Sequence, residues 1–100
     1  MTIHHTFTRD EIADLRAING DEITRAIHRI AGDAAKRAGM TLARLIGPDR
    51  SAAAVRVRDV AISAARREGY SMPQIGKAMN RDHTTVLASI RRQQARRGEA

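Results

Sequence analysis

One hundred residues with 18 Lys/Arg, 11 Asp/Glu, no cysteine and a net charge of +7 make one small domain that has neither a disulfide framework nor a thiolate metal site. No apolar run approaches the roughly 18 residues of a membrane span, nothing reads as a signal peptide, and a single tyrosine is too little aromatic surface to stack single-stranded bases. The charge is unevenly placed: residues 1–49 carry seven Lys/Arg and seven Asp/Glu, whereas residues 50–100 carry eleven against four, so one half is neutral and the other is suited to a polyanion.

Abundant alanine and β-branched residues set singly in helical spacing predict an all-α fold, a small helical bundle in a cytoplasmic protein. Residues 1–7 read as a loose arm; His4 and His5 are adjacent and have no third ligand nearby, so no metal is expected. Thr8 and Glu11 form a capping box, with Phe7 placed to staple against Ile12 or a close neighbour. The helix it opens carries Ile12, Leu15 and Ile18 on one stripe and is expected to end at Asn19 and Gly20. Asp21 is expected to cap a second helix, with Ile23, Ala26, Ile27, Ile30, Ala31 and Ala34 inward, closing at Gly39. Thr41 starts a short helix over 42–46, which Gly47 and Pro48 break. Asp49 or Ser51 caps a central helix running to about Glu68, with Ala53, Val57, Val60, Ala61 and Ala64 as its buried stripe and Arg56 and Arg58 flanking it. Gly69 stops this helix, and Tyr70 reads as a packing residue with a wet hydroxyl.

The stretch from Ser71 to Arg92 carries the strongest pattern. Ser71 caps a helix with Pro73 inside its first turn, and Ile75 and Met79 share a face one turn apart. Asn80 suits a left-handed corner, Asp82 caps the helix that follows, and Val86, Leu87 and Ile90 form its buried stripe. That is the spacing of a helix-turn-helix, whose second helix enters the DNA major groove and offers its N-terminal residues to the bases. The candidates for base reading are therefore Arg81, Asp82, His83, Thr84 and Thr85. His83 can donate or accept at a base edge, and each threonine offers a hydroxyl and a methyl suited to thymine. Asp82 can accept from cytosine N4, although capping is its first task, and Arg81 can reach a phosphate or a guanine. Arg58, Lys77, Arg91 and Arg92 form the candidate phosphate set. The basic run over 91–97 extends the recognition helix. On this reading residues 1–7 are an arm, 8–19 a separate N-terminal helix and 20–97 the DNA-binding unit.

Arg81-Asp82-His83-Thr84-Thr85-Val86 resembles the signature of the C-terminal DNA-binding domain of the bacterial replication initiator DnaA. The preceding run, Ser71 to Gly76, is similar to the first helix of that domain's pair, and Val55 to Ala61 resembles the basic start of its long central helix. The similarity covers roughly Thr41 to Arg92. It implies that Asp82, His83 and Thr84 read bases and that Arg56 enters the neighbouring minor groove, where narrow A/T-rich stretches concentrate negative potential. The chain departs from the family pattern at Val57, where proline is usual, at Asp59, where an uncharged residue is usual, and at Asn80, which replaces glycine.

No Gly-x-x-x-x-Gly-Lys-Ser/Thr phosphate loop occurs, so the initiator's ATPase is not in these residues. No nucleophile–base pair stands at a catalytic spacing, and no enzyme, small-molecule substrate, cofactor or membrane partner is expected. The expected function is sequence-specific binding of double-stranded DNA by a bacterial transcription regulator, an activator of phage or gene-transfer-particle type, since stand-alone DnaA-like modules resemble those of such activators. The N-terminal helix would then recruit a second regulatory protein or RNA polymerase. A replication modulator that occupies initiator boxes at an origin is the alternative.

Overall fold

A computed structural model describes the backbone of residues 9–98 and the side chains of residues 22–98. Five helices follow one another: α1 (Arg9–Arg37), α2 (Leu42–Ile46), α3 (Ala52–Arg67), α4 (Met72–Met79) and α5 (His83–Arg96). No strand occurs among the described residues, in agreement with the expected all-α class. The Thr8 cap, the Phe7 staple and the paired histidines lie outside the described residues.

The first correction concerns α1, which runs unbroken through Asn19 and Gly20 for 29 residues where two helices were expected. A mid-helix glycine costs only about 1 kcal/mol relative to alanine. Ending one helix and starting another there would strip four carbonyls and four N–H groups of helical partners. The Asn-Gly signal is therefore overridden. At the other end Gly39, with φ 71, closes α1 as the sequence suggests.

α2 is capped by Thr41, whose hydroxyl accepts from Arg44 N at 3.2 Å. Ser51, the second of the two candidates, caps α3 by accepting from Ala54 N. Asp49 instead accepts from Ser51 N and pairs with Arg44. Hydrogen bonds from Arg44 and then Ser51 hold its carboxyl at about 2.

The core joins Ile27, Ala31 and Ala35 of α1, Leu45 of α2, Ala61, Ile62 and Ala65 of α3, Ile75, Ala78 and Met79 of α4, and Val86 of α5. Tyr70 and Ile90 pack at its edge. Completely buried side chains such as Ile75 and Val86 each contribute roughly 1.5–3 kcal/mol of apolar transfer free energy.

α3 is rotated relative to the expected stripe. Ala54, Arg58, Ala61, Ile62 and Ala65 point inward, whereas Ala53 is exposed and Val60 is 45% exposed. The expectation set Arg58 at the edge of the stripe as a phosphate candidate and left Asp59 out of the stripe. Both are buried, because each brings its own hydrogen-bond partners inside.

The α4–α5 corner is built as its residues suggest, and more tightly. Ser71 and Gln74 form a full capping box, Pro73 occupies the first turn, and Asn80 adopts the left-handed conformation at φ 56. Arg81 N donates to Gly76 O at 2.8 Å and Asn80 N donates to Lys77 O, which satisfies two end-of-helix carbonyls. Gly76 itself is required, since a Cβ there would lie 2.5 Å from the Arg81 carbonyl oxygen. α1 is tied to this unit by His28, whose Nε2–H donates to Ala78 O at 2.8 Å.

Candidate nucleic-acid interface

The first turn of α5 presents four consecutive exposed residues, Asp82 to Thr85, directly above buried Val86. Asp82 is the N-cap: its Oδ1 accepts from Thr85 N at 2.8 Å and from the Thr84 hydroxyl. The Thr84 bond and then the Thr85 backbone bond hold the Asp82 carboxyl at about 2, so it is ionised at neutral pH. The Thr84 hydroxyl proton is thus committed to Asp82, which leaves its methyl and a lone pair facing outward. His83 has no hydrogen-bond partner among the described residues and is free to meet a base edge.

Arg81, a base-reading candidate, has its guanidinium engaged by backbone carbonyls. Its Nη1 donates to the carbonyls of Ile46, Met79 and Asn80 at 3.0, 3.1 and 3.0 Å, and its Nη2 to Gly47 O at 2.7 Å. The guanidinium faces inward and fastens the corner to the C-terminus of α2, where orphaned carbonyls need donors.

Arg58, a phosphate candidate, lies inside the fold rather than at its surface. It is 6% exposed, with Nε donating to Leu45 O and Nη2 to Asp49 O, both at 2.8 Å. Burial first, and then the neighbouring Arg81 charge, push its pKa down from the usual arginine value. Two guanidinium groups therefore pin the α2–α3 connection through carbonyl dipoles.

The remaining candidates lie at the surface. Arg56 on α3, Lys77 on α4 and Arg91 on α5 are exposed and make no hydrogen bond or ion pair among the described residues. Arg92 is half-exposed, but its Nε and Nη2 grip both carboxylate oxygens of Asp59 at 3.1 and 3.0 Å. Arg96 Nη1 adds a 2.7 Å bond to Asp59, and Ser89 Oγ donates to the same carboxylate. Asp59 is 1% exposed. Burial opposes its ionisation, yet the bonds from Arg92, Ser89 and Arg96 prevail and hold its carboxyl below the ordinary range.

Sequence reasoning placed Arg96 in a backbone-contacting basic tail over 91–97 and did not anticipate that buried Asp59 and Ser89 would hold Arg92 and Arg96 from beneath. One signal was available: positions 89, 92 and 96 recur on one face of α5. Between α5 and the α2–α3 connection lies a cleft whose walls include Arg50, Arg58, Arg81, Thr85, Ser89 and Arg92. It joins the exposed N-terminus of α5 to the arginines lower on the same helix. Among the described residues no cluster of His, Cys, Asp or Glu can hold a metal ion, and no helix is long and apolar enough to cross a membrane.

A capped recognition helix, a glycine-tight corner and a cationic cleft beside it define a DNA-binding domain of the helix-turn-helix class. Residues 27–92 match the family model described as the bacterial DnaA protein helix-turn-helix, and the chain belongs to that family. The match begins inside α1 and leaves residues 9–26 of that helix ahead of it. No solved structure matches the chain.

Proposed function

We propose that this protein is a sequence-specific duplex-DNA-binding transcription regulator, an activator of phage or gene-transfer-particle type, cytoplasmic and bound to the nucleoid. The observation that carries the DNA-reading part is the exposed run Asp82 to Thr85, held by its own cap on a rigid corner. His83, Thr84 and Thr85 read bases in the major groove, with Asp82 orienting them and accepting from cytosine N4 where the sequence offers it. Arg56 enters the adjacent minor groove, while Lys77, Arg91 and the outward edge of Arg92 meet phosphates. The N-terminal part of α1, ahead of the family match, is the surface for a second regulatory protein or RNA polymerase.

The test is a map of the sites the protein occupies in its own cells, joined to base selection in vitro. Occupancy upstream of a few operons supports the regulator. Occupancy confined to the replication origin would replace it with a modulator competing for initiator boxes. His83→Ala should weaken the selected site by roughly 1–3 kcal/mol and flatten preference at one base position. Equal weakening on selected and random duplexes would remove His83 from base reading.

A further inference from the structure

We propose that Asp59 is a specificity-determining residue: a buried counter-charge that fixes Arg92 and Arg96 against α3, so that the lower half of α5 meets the DNA backbone in one register only. This rests on the DNA-binding reading of α5 and goes beyond it. Loose arginines on a recognition helix bind any phosphate within reach, and each strengthens all sequences alike. Here both oxygens of an almost fully buried carboxylate are occupied by four donors: Ser89 Oγ, Arg92 Nε, Arg92 Nη2 and Arg96 Nη1. The cluster carries a net charge of +1, made of two guanidinium groups and one carboxylate. Arg92 and Arg96 side chains remain 47% and 35% exposed, so each keeps open surface while its guanidinium is held in place. Arg92 lines the same cleft as Thr85, one face of α5 carrying base-reading and phosphate-meeting groups together. A phosphate is then accepted only where the docked base-reading turn brings it, which is preorganisation used for discrimination.

The experiment compares the full chain with Asp59→Asn on two probes of equal length, a duplex enriched from a random pool by the wild-type protein and a random-sequence duplex. The asparagine has the same shape, but its NH2 replaces one acceptor oxygen and faces donors, so two of the four contacts are lost, the arginines loosen and the local charge rises to +2. Random-duplex binding should tighten about five- to tenfold near 0.1 M salt, with the salt slope steeper by about 0.9. The ratio of random to selected Kd should fall about tenfold. A folded Asp59→Asn protein with an unchanged ratio, or with equal loss on both probes, overturns the inference and leaves DNA binding standing. Wild-type protein that binds neither duplex removes both.

Should Asp59→Asn fail to fold, Arg92→Lys decides, because lysine keeps the charge but cannot grip both carboxylate oxygens as a planar fork. It should weaken the selected duplex several-fold more than the random one, with the salt slope kept. Indistinguishable losses on the two probes, or none, count against a positioned fork.

Discussion

The two ends of α5 use a carboxylate in opposite ways. At the N-terminus, Asp82 is exposed, bonds only to its own first turn and leaves His83 and Thr85 free to meet a ligand. Lower down, Asp59 reaches from α3, is almost fully buried and draws three residues of α5 onto itself. The first arrangement keeps an exposed polar edge available, and the second ties α5 to α3. A recognition helix needs both, since base contacts specify only when the helix is held at one depth and angle.

The largest effect on this contrast is expected from Gly76→Ala. The added methyl would strike the Arg81 carbonyl, so the corner must shift and carry the reading edge with it. A cost of about 2–3 kcal/mol is expected, with a fall in Tm of roughly 10–20 °C. A thermal melt showing less than half of that would mean the corner yields more easily than its geometry indicates.

Acid sharpens the comparison further. Both carboxyls titrate below their ordinary range in the folded chain, so the unfolded chain takes up protons first. Their stabilisation is complete above the unfolded value of about 3.9 and is lost as pH falls through the folded values. Added salt should screen the contribution of exposed Asp82 and leave most of that of buried Asp59. Unfolding by urea between pH 5 and pH 2, at low and high salt, should therefore show an acid loss that persists in salt and shrinks in Asp59→Asn. A loss abolished by salt would place its source at the surface.

The smallest effect is expected at Arg91, which is exposed and unpaired among the described residues. Arg91→Ala should lower the salt slope by about 0.9 and weaken all duplexes equally. A change in base preference would move Arg91 from phosphate to base contact.

What could be read from the sequence follows the range of the interactions involved. The caps at Thr41, Ser71 and Asp82, the Asn80 corner and the buried pair Ile75 and Met79 depend on neighbours within four residues, and each stands where expected. The misplaced residues are charges with distant partners. Arg81 finds Ile46 and Gly47, 35 and 34 positions away, and Asp59 finds Ser89, Arg92 and Arg96 at separations of 30, 33 and 37. A charge seen alone is read as solvated, because burial without a partner would be prohibitive. The same default turned the α3 stripe, since it placed Arg58 on the flank and took Ala53 and Val60 as buried. Asn19 and Gly20 failed for another reason: a local stop signal is weak against the cooperativity of a long helix.

The unbroken α1 has a mechanical consequence. At 29 residues it is a strut roughly 43 Å long, clamped near its C-terminal end where His28 meets Ala78. A hinge at Gly20 would have made its far end a tether, able to search in any direction. A strut instead gives that end a bearing: each residue inserted ahead of Ile27 would swing it by about 100° and advance it by about 1.5 Å. The length and phase of α1 therefore set where its far end stands relative to the α4–α5 corner.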